Sequence, residues 1–143
     1  MLISQILRTK GDGVFTARPD QTIAEIASAL SEKRIGAVVV TDPDLRVVGI
    51  LSERDVVRVI ARVGGAGLSA PVRDHMTTGV IYAHPNERVD ELLTRMTDRR
   101  IRHLPVCVDD RLVGIVSIGD LVKSKIAEVE AEAEGLKTYI AAG

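Results

Sequence analysis

The sequence predicts a mixed α/β (α+β) fold made of two copies of a strand–helix–strand–strand–helix unit, followed by a long C-terminal helix. The first observation is a duplicated motif, since Gly49–Asp55 reads GILSERD and Gly114–Asp120 reads GIVSIGD. The second is that the flanking sequence repeats in register, with Arg100 following Arg34 by 66 positions. The third is length, because half of a 143-residue chain is near the size at which a single core is marginal. We therefore expect the two copies to pack their sheets together about a pseudo-two-fold axis.

Apolar patterning places the elements of the first copy. Short β-branched and apolar runs predict strands at residues 14–16, 37–40 and 47–51, and the last two form a hairpin. Apolar residues at helical spacing predict helices over residues 23–30 and 55–61. The second copy follows the same order and is one residue shorter in the hairpin turn, where a deletion is easily tolerated.

Two segments lie outside this repeat. Residues 2–7 have helical spacing and predict a short N-terminal helix, and Gly64–Gly67 predicts a flexible linker between the copies. We expect the first copy with its N-terminal helix to span residues 1–66, the second copy 67–125, and the C-terminal helix 119–141.

The C-terminal segment has the hydrophobic period of a coiled coil. Its apolar side chains alternate between steps of four and three residues, at Val122, Ile126, Val129, Ala133, Leu136 and Ile140. This pattern fits packing along the helix's own module and fits pairing with a second subunit equally well. We expect a homodimer.

Composition argues against several classes of partner. A net charge of −1 gives no electrostatic basis for binding nucleic acid or an anionic membrane surface. With one Phe, two Tyr and no Trp, the chain has too few aromatic side chains for a platform on which single-stranded nucleic acid could stack. No apolar run approaches the roughly 18–20 residues of a membrane span. We therefore expect neither a nucleic-acid partner nor a membrane association.

The single cysteine fits a reducing compartment. Cys107 lies within the apolar run Leu104–Val108, which predicts a packed thiol rather than a nucleophile. One cysteine forms no intrachain disulfide. Residues 1–7 lack the length and charged flank of a signal peptide, so a cytoplasmic location is expected.

Each copy of the motif places a hydroxyl and a carboxylate where a strand ends and a helix begins. These residues are Ser52 and Asp55 in the first copy and Ser117 and Asp120 in the second. At such a junction the backbone N–H groups are free and the helix dipole favours anions. The side chains either cap their helices alone or also bind a ligand. Duplication in matched positions favours a ligand site.

These motifs make the chain resemble the tandem cystathionine β-synthase (CBS) domain pair, or Bateman module. The resemblance rests on the repeated Gly-Ile-aliphatic-Ser-x-x-Asp ending and on the second-strand segments Arg34–Val40 and Arg100–Val106. It spans residues 7–125 and is greatest for small stand-alone bacterial members with a C-terminal helix. It implies a regulatory sensor, not an enzyme, that binds an adenine nucleotide in two clefts between the repeats and requires no metal. Ligand binding would shift the relative arrangement of the repeats.

The resemblance also implies which residues line each cleft. The first cleft would be formed by Thr16, Ala17, Gly36, Ala37, Val38, Ser117 and Asp120, with Arg102 and His103 as phosphate-binding groups. The second cleft would be formed by Tyr82, Ala83, His103, Leu104, Pro105, Ser52, Arg54 and Asp55.

The chemistry of these residue types suits a nucleotide. Asp55 and Asp120 would each accept hydrogen bonds from the vicinal hydroxyls of a ribose, and an arginine offers a two-pronged fork to phosphate. Gly36 stands where the second copy has Arg102, and Glu53 beside Arg54 opposes a polyphosphate. We therefore expect unequal affinity, with phosphate-binding groups richer in the first cleft. Candidate ligands are AMP, ADP, ATP, NAD(H) and S-adenosylmethionine.

Two other functions stay open at this point. Such modules also occur inside inosine monophosphate dehydrogenase, but its catalytic barrel needs about 250 residues. His103 and Cys107 would lie about 13 Å apart along one strand, which is too far for a nucleophile and its base. The other alternative is a non-catalytic interaction module with empty clefts, which acts on an unknown downstream protein through its C-terminal helix.

Overall fold

The computed structural model describes residues 1–11 and 13–142 and confirms the predicted α+β architecture of two similar halves. The elements of the first half are α1 (Ile3–Lys10), β1 (Thr16–Ala17), α2 (Ile23–Lys33), β2 (Ala37–Thr41), β3 (Val47–Ser52) and α3 (Glu53–Val63). The elements of the second half are α4 (Val89–Arg99), β4 (His103–Val108), β5 (Arg111–Ser117) and α5 (Ile118–Ala142). Two 3₁₀ turns, Gly65–Ser69 and Val72–Asp74, connect the halves.

Each half is built on one β-hairpin. In the first half β2 lies between β1, to which it is parallel, and β3, to which it is antiparallel. All five residues of β2 are buried, as expected for a central strand made of Ala, Val and Thr. In the second half β4 and β5 pair antiparallel. The main chains of the two hairpins meet at a bridge between Arg46 and Arg111.

The first strand of the unit differs from the prediction in both halves. The strand expected at residues 14–16 is observed at Thr16–Ala17. Its counterpart in the second half is reduced to one parallel bridge between Ala83 and Val106. There the Ala83 N–H donates to the Pro105 carbonyl at 2.8 Å, and the Cys107 N–H donates to the Ala83 carbonyl at 2.9 Å. Two hydrogen bonds are thus formed at this position, instead of the longer series that joins two paired strands.

The prediction of a flexible linker at Gly64–Gly67 was wrong. Gly65–Ser69 forms a 3₁₀ helix in which Gly67 is buried. A Cβ atom on Gly67 would lie 2.6 Å from Cγ1 of Val59. Glycine is required at this position because the turn lies directly against α3 and leaves no room for a side chain. The glycine serves close packing and does not make the segment flexible.

The segment that precedes the second half packs into the core of the first half. Val72 is fully buried there among Ile23, Ile26 and Leu51. The main chain is also joined, because the Val72 N–H donates to the Gln21 carbonyl at 2.7 Å.

The converse holds for the segment that precedes the first half. Ile3 and Ile6 of α1 are buried in the core of the second half, with Leu92 and Leu104. The Val89 N–H donates to the Met1 carbonyl at 3.0 Å. The helix that sequence had grouped with residues 1–66 therefore packs with the other half. The two halves exchange their leading segments.

Each exchanged segment rests on the glycine of the duplicated motif. A Cβ atom on Gly114 would lie 2.6 Å from Cδ2 of Leu7 in α1, and a Cβ atom on Gly49 would meet Met76 in the same way. The glycine that opens each motif leaves room for the leading segment of the opposite half.

Helix α5 leaves the body of the protein after its first turns. Leu121 is fully buried, whereas every side chain described from residue 130 onward is exposed. No helix of the described residues has both the length and the apolar character needed to cross a membrane.

Truncating Ile3 should test the exchange of segments. Ile3→Ala removes a fully buried side chain and should lower the free energy of unfolding by about 2–5 kcal/mol, measured by urea denaturation. Ile140→Ala makes the same change at the other end of the chain, where the residue is 68% exposed, and should cost less than about 0.5 kcal/mol. Equal losses in the two variants would contradict the placing of α1 in the second core.

Candidate functional site

Two clefts lie between the halves, and each contains one copy of the Ser-x-x-Asp motif. The first cleft has a volume of about 810 Å³, within the usual range for small-molecule sites. Its lining comes from the α1–β1 connection, the end of α2, the start of β2 and the β5–α5 junction. The polar and small residues of that lining are Lys10, Gly13, Lys33, Arg34, Gly36, Ala37, His103, Ser117 and Asp120.

The second cleft is smaller, at about 220 Å³, and has more arginine side chains. Its lining comes from the β3–α3 junction and from the α4–β4 connection. The charged and polar residues of that lining are Ser52, Glu53, Arg54, Asp55, Arg58, Thr77, Arg100, Arg102 and His103.

Gly36 and His103 line both clefts and separate them. A Cβ atom on Gly36 would lie 2.9 Å from Nε2 of His103, so the imidazole is in close contact with the glycine backbone. A larger residue at position 36 would displace the imidazole ring of His103 from its position between the two clefts.

The two motifs have the same local geometry. The Ser117 N–H donates to Oδ2 of Asp120 at 2.9 Å, and the Asp120 N–H donates to Oγ of Ser117 at 3.1 Å. The Ser52 N–H donates to Oδ2 of Asp55 at 2.9 Å, and the Asp55 N–H donates to Oγ of Ser52 at 3.3 Å. These reciprocal bonds cap α3 and α5, so the capping interpretation is confirmed. Capping engages Oδ2 of each carboxylate, and a second carboxylate oxygen remains for other partners.

The partners of the two carboxylates differ. Asp120 forms an ion pair with Lys10 of α1, with Oδ2 and Nζ 2.7 Å apart. Asp55 contacts Arg58 on its own helix at 3.4 Å. Burial raises the pKa of Asp120, but hydrogen bonds from Lys10 and Ser117 together outweigh it, so the pKa is lowered on balance. Asp120 is therefore an anion at neutral pH.

His103 is neutral at the same pH. Burial, followed by the charge of Lys10, lowers the pKa of His103 below its ordinary value. A neutral imidazole has one donor and one acceptor nitrogen, so it can hydrogen-bond either to a base edge or to a hydroxyl.

The structure brings together most of the residues expected in the first cleft. Gly36, Ala37, His103, Ser117 and Asp120 all line it. The other expected members lie elsewhere: Thr16, Ala17 and Val38 are in the first sheet, with Ala17 and Val38 buried in its core, and Arg102 lines the second cleft.

The second cleft contains the expected motif and His103, but not the rest of the expected strand. Ser52, Arg54 and Asp55 line it. Four other expected residues do not: Tyr82 is exposed, and Ala83, Leu104 and Pro105 are buried. Ala83 and Leu104 belong to the core of the second half, because successive residues of an extended chain face opposite ways.

The distribution of arginines therefore differs from the prediction. Arg102 precedes His103 on an extended segment and faces the second cleft with Arg54, Arg58 and Arg100. The first cleft instead has the cations Lys10, Lys33 and Arg34.

Sequence reasoning had not assigned several lining residues. Arg34 and Arg100 occupy matched positions at the ends of α2 and α4, both with a left-handed backbone at φ 53° and 54°. Their equivalence in the repeat was a usable signal for a paired role. Lys10 gave no such signal, because its contact with Asp120 spans 110 positions. Among the described residues, no group of three or more His, Cys, Asp or Glu side chains is placed to hold a metal ion.

Replacing His103 with Gln should alter the pH dependence of stability. Because the folded-state pKa of His103 is lowered, the unfolded chain binds this proton more readily below about pH 6.5. The wild-type chain should lose free energy of unfolding as the pH falls from about 7 to 5, and His103→Gln should lose less. Urea denaturation across this pH range measures the effect, with His84→Gln as the control for an exposed imidazole. Parallel curves for wild type and His103→Gln would contradict this account.

Comparison with known proteins agrees with this architecture. The family model of the CBS domain matches twice, at residues 3–62 and 72–126. The mitochondrial CBS domain-containing protein CBSX3 of Arabidopsis thaliana is 35% identical over 149 aligned positions, which cover 99% of this chain and 72% of that protein.

Solved structures give the same result. A CBS-domain protein from Agrobacterium tumefaciens is 44% identical and superposes with a TM-score of 0.84, covering 87% of this chain and 99% of its own. The CBS domain pair of protein MJ0100, solved in complex with 5′-methylthioadenosine and S-adenosyl-L-methionine, is 28% identical with a TM-score of 0.80, covering 90% of this chain and 98% of its own. The chain therefore belongs to the CBS domain family and carries two CBS domains in tandem.

Proposed function

We propose that this protein is a non-catalytic regulatory module that binds an adenosine-containing ligand in a cleft between its two CBS domains. The observation that carries the proposal is the first cleft, where an anionic Asp120 stands at a helix N-terminus and faces a space of about 810 Å³. A CBS domain pair of the same fold was solved with two adenosine-containing ligands, which supports this ligand class.

The first cleft has the groups that such a ligand needs. Oδ1 of Asp120, which makes no capping bond, can accept a hydrogen bond from a ribose hydroxyl. The neutral imidazole of His103 can hydrogen-bond to the edge of a base or to a hydroxyl. Lys33 and Arg34, at the end of α2, supply positive charge for a phosphate or another anion. The ligand would touch both domains, so its binding free energy would favour one relative arrangement over others. That shift would be the regulatory output, with coupling typically of about 1–3 kcal/mol.

The two clefts should differ in ligand preference. The second cleft is smaller, and Glu53 and Asp55 partly offset its four arginines. It therefore fits a compact anionic group better than a whole nucleotide. The candidate ligands of the first cleft are AMP, ADP, ATP, NAD(H) and S-adenosylmethionine. We propose that the protein acts in the cytoplasm on a downstream protein.

Thermal unfolding with a nucleotide panel should identify the ligand. A ligand specific to the folded chain, at a hundredfold excess over its Kd, adds about 2.7 kcal/mol and raises Tm by several degrees. We expect such a rise with one or more of the adenine compounds and none with GTP. Asp120→Ala should abolish the rise. Asp90→Ala removes a carboxylate that pairs with Lys125 outside the clefts, and it should retain the rise.

The outcomes of this panel separate the candidate functions. A flat response to every adenine compound would overturn the proposal and favour the interaction module with empty clefts. Chromatography of the ligand after incubation tests the absence of catalysis, because a binding module should return AMP, ATP or NADH unchanged.

We also propose that α5 mediates a homodimer. Its apolar stripe is exposed, with Ile126 at 53%, Val129 at 50% and Leu136 at 61%. The last turns of α5 are exposed on all sides, and helical turns without tertiary packing are marginal in water. A second copy of α5 would cover the stripe, since the three-and-four spacing is the pattern by which two helices pair.

Charge placed on the stripe should separate the subunits. Ile126→Glu introduces a carboxylate on the apolar face and should convert a dimer into a monomer, as measured by sedimentation velocity. Ala131→Glu places the same charge on the opposite face of α5 and should leave the dimer intact. A monomeric wild-type protein, or dissociation by both variants, would contradict the role of the stripe.

A further inference from the structure

The ion pair between Lys10 and Asp120 connects α1 to the first cleft. Nζ of Lys10 lies 2.7 Å from Oδ2 of Asp120 and donates a second hydrogen bond to the Ile115 carbonyl at 3.0 Å. The side chain of Lys10 is 39% exposed and that of Asp120 is 28% exposed, so both groups are accessible from the cleft. The carboxylate that would bind a ribose is already paired with a cation.

At the matching positions of the other motif, the cation beside Asp55 is Arg58 of the same helix, at 3.4 Å. Ile50 corresponds to Ile115, and its backbone N–H and carbonyl are both bonded to the main chain of Thr77. In the first cleft the ammonium of Lys10 bonds the Ile115 carbonyl instead. The two clefts therefore differ by an internal charge that comes from α1, not from either repeated motif.

This charge competes directly with a ribose. Oδ2 of Asp120 already accepts bonds from Lys10 and from the Ser117 N–H, so a ribose whose two hydroxyls bridge the two carboxylate oxygens has to compete with Lys10 for Oδ2. The ammonium–carboxylate bond has two ionised partners, whereas a ribose hydroxyl would bring only an uncharged donor to the carboxylate. A neutral nucleoside would thus displace Lys10 at a net loss, whereas a ligand with a phosphate gives the freed ammonium a new partner.

We propose that Lys10 is an internal counter-ion that leaves Asp120 when the ligand binds, and that it makes the first cleft select adenosine ligands carrying an anionic group over neutral ones. This inference rests on the proposed function. Lys33 and Arg34 line the same cleft and add positive charge for the anionic group. Because Lys10 ends α1, the exchange also links ligand binding to the end of the helix that packs in the second domain.

Comparing adenosine with AMP tests this role of Lys10. Isothermal titration of the full-length wild type and of Lys10→Met gives the ratio of the adenosine Kd to the AMP Kd in each. The variant lacks both the competitor of adenosine and the partner of the phosphate, so the ratio should fall about tenfold. Lys125→Met removes an exposed ion pair with Asp90 and should leave the ratio unchanged. Lys10→Gln gives the same test if Lys10→Met is unstable.

The results separate this inference from the proposed function. Binding of both compounds with an unchanged ratio in the Lys10 variants would overturn the role of Lys10 and leave the nucleotide site intact, because a purely structural ion pair changes both affinities alike. Binding of neither compound to the wild type, together with a flat response to the rest of the nucleotide panel, would overturn the proposed function and this inference with it. Asp120→Ala should weaken the binding of both adenosine and AMP. Retention of AMP binding in that variant would also contradict the inference.

Discussion

The exchange of leading segments between the two CBS domains holds the structure together. The first domain takes Val72 into its core from the segment that precedes the second, and the second takes Ile3 and Ile6 from α1. Each domain alone is near the size at which a single core is only marginally stable, and each would lose fully buried side chains without the other. The clefts lie between two domains that share buried side chains.

This exchange also determines which groups reach each cleft. Leu7 lies on Gly114 because α1 packs over the second domain, and that contact directs Lys10 at the end of α1 toward Asp120. On the other side, Met76 lies on Gly49, and Thr77 follows it to pair with Ile50. The exchanged segments thus place an ammonium in one cleft and the main chain of Thr77 in the other. A pair of similar domains acquires two different sites from the segments they exchange.

Burial and charge act together at the first cleft. Asp120 is half-buried, which would favour its neutral form, but the capping bonds and Lys10 keep it an anion. His103 is kept neutral by burial and by the same lysine. One cation therefore contributes to the protonation states of two cleft residues, and it stands at the proposed ligand site. Any ligand that displaces it changes the electrostatics of the whole cleft.

The sequence by itself determined the repeat, the hairpins, the helices and the place of both Ser-x-x-Asp motifs, because period and spacing are local properties. It could not show that Arg102 faces the second cleft or that Ala83 and Leu104 enter the core, since this depends on the rotation of each strand against its neighbours. The linker prediction failed at Gly67 because glycine serves close packing as well as flexibility. Only the tertiary structure brought Lys10 to Asp120, because a contact over 110 positions depends on how α1 packs and leaves no local pattern.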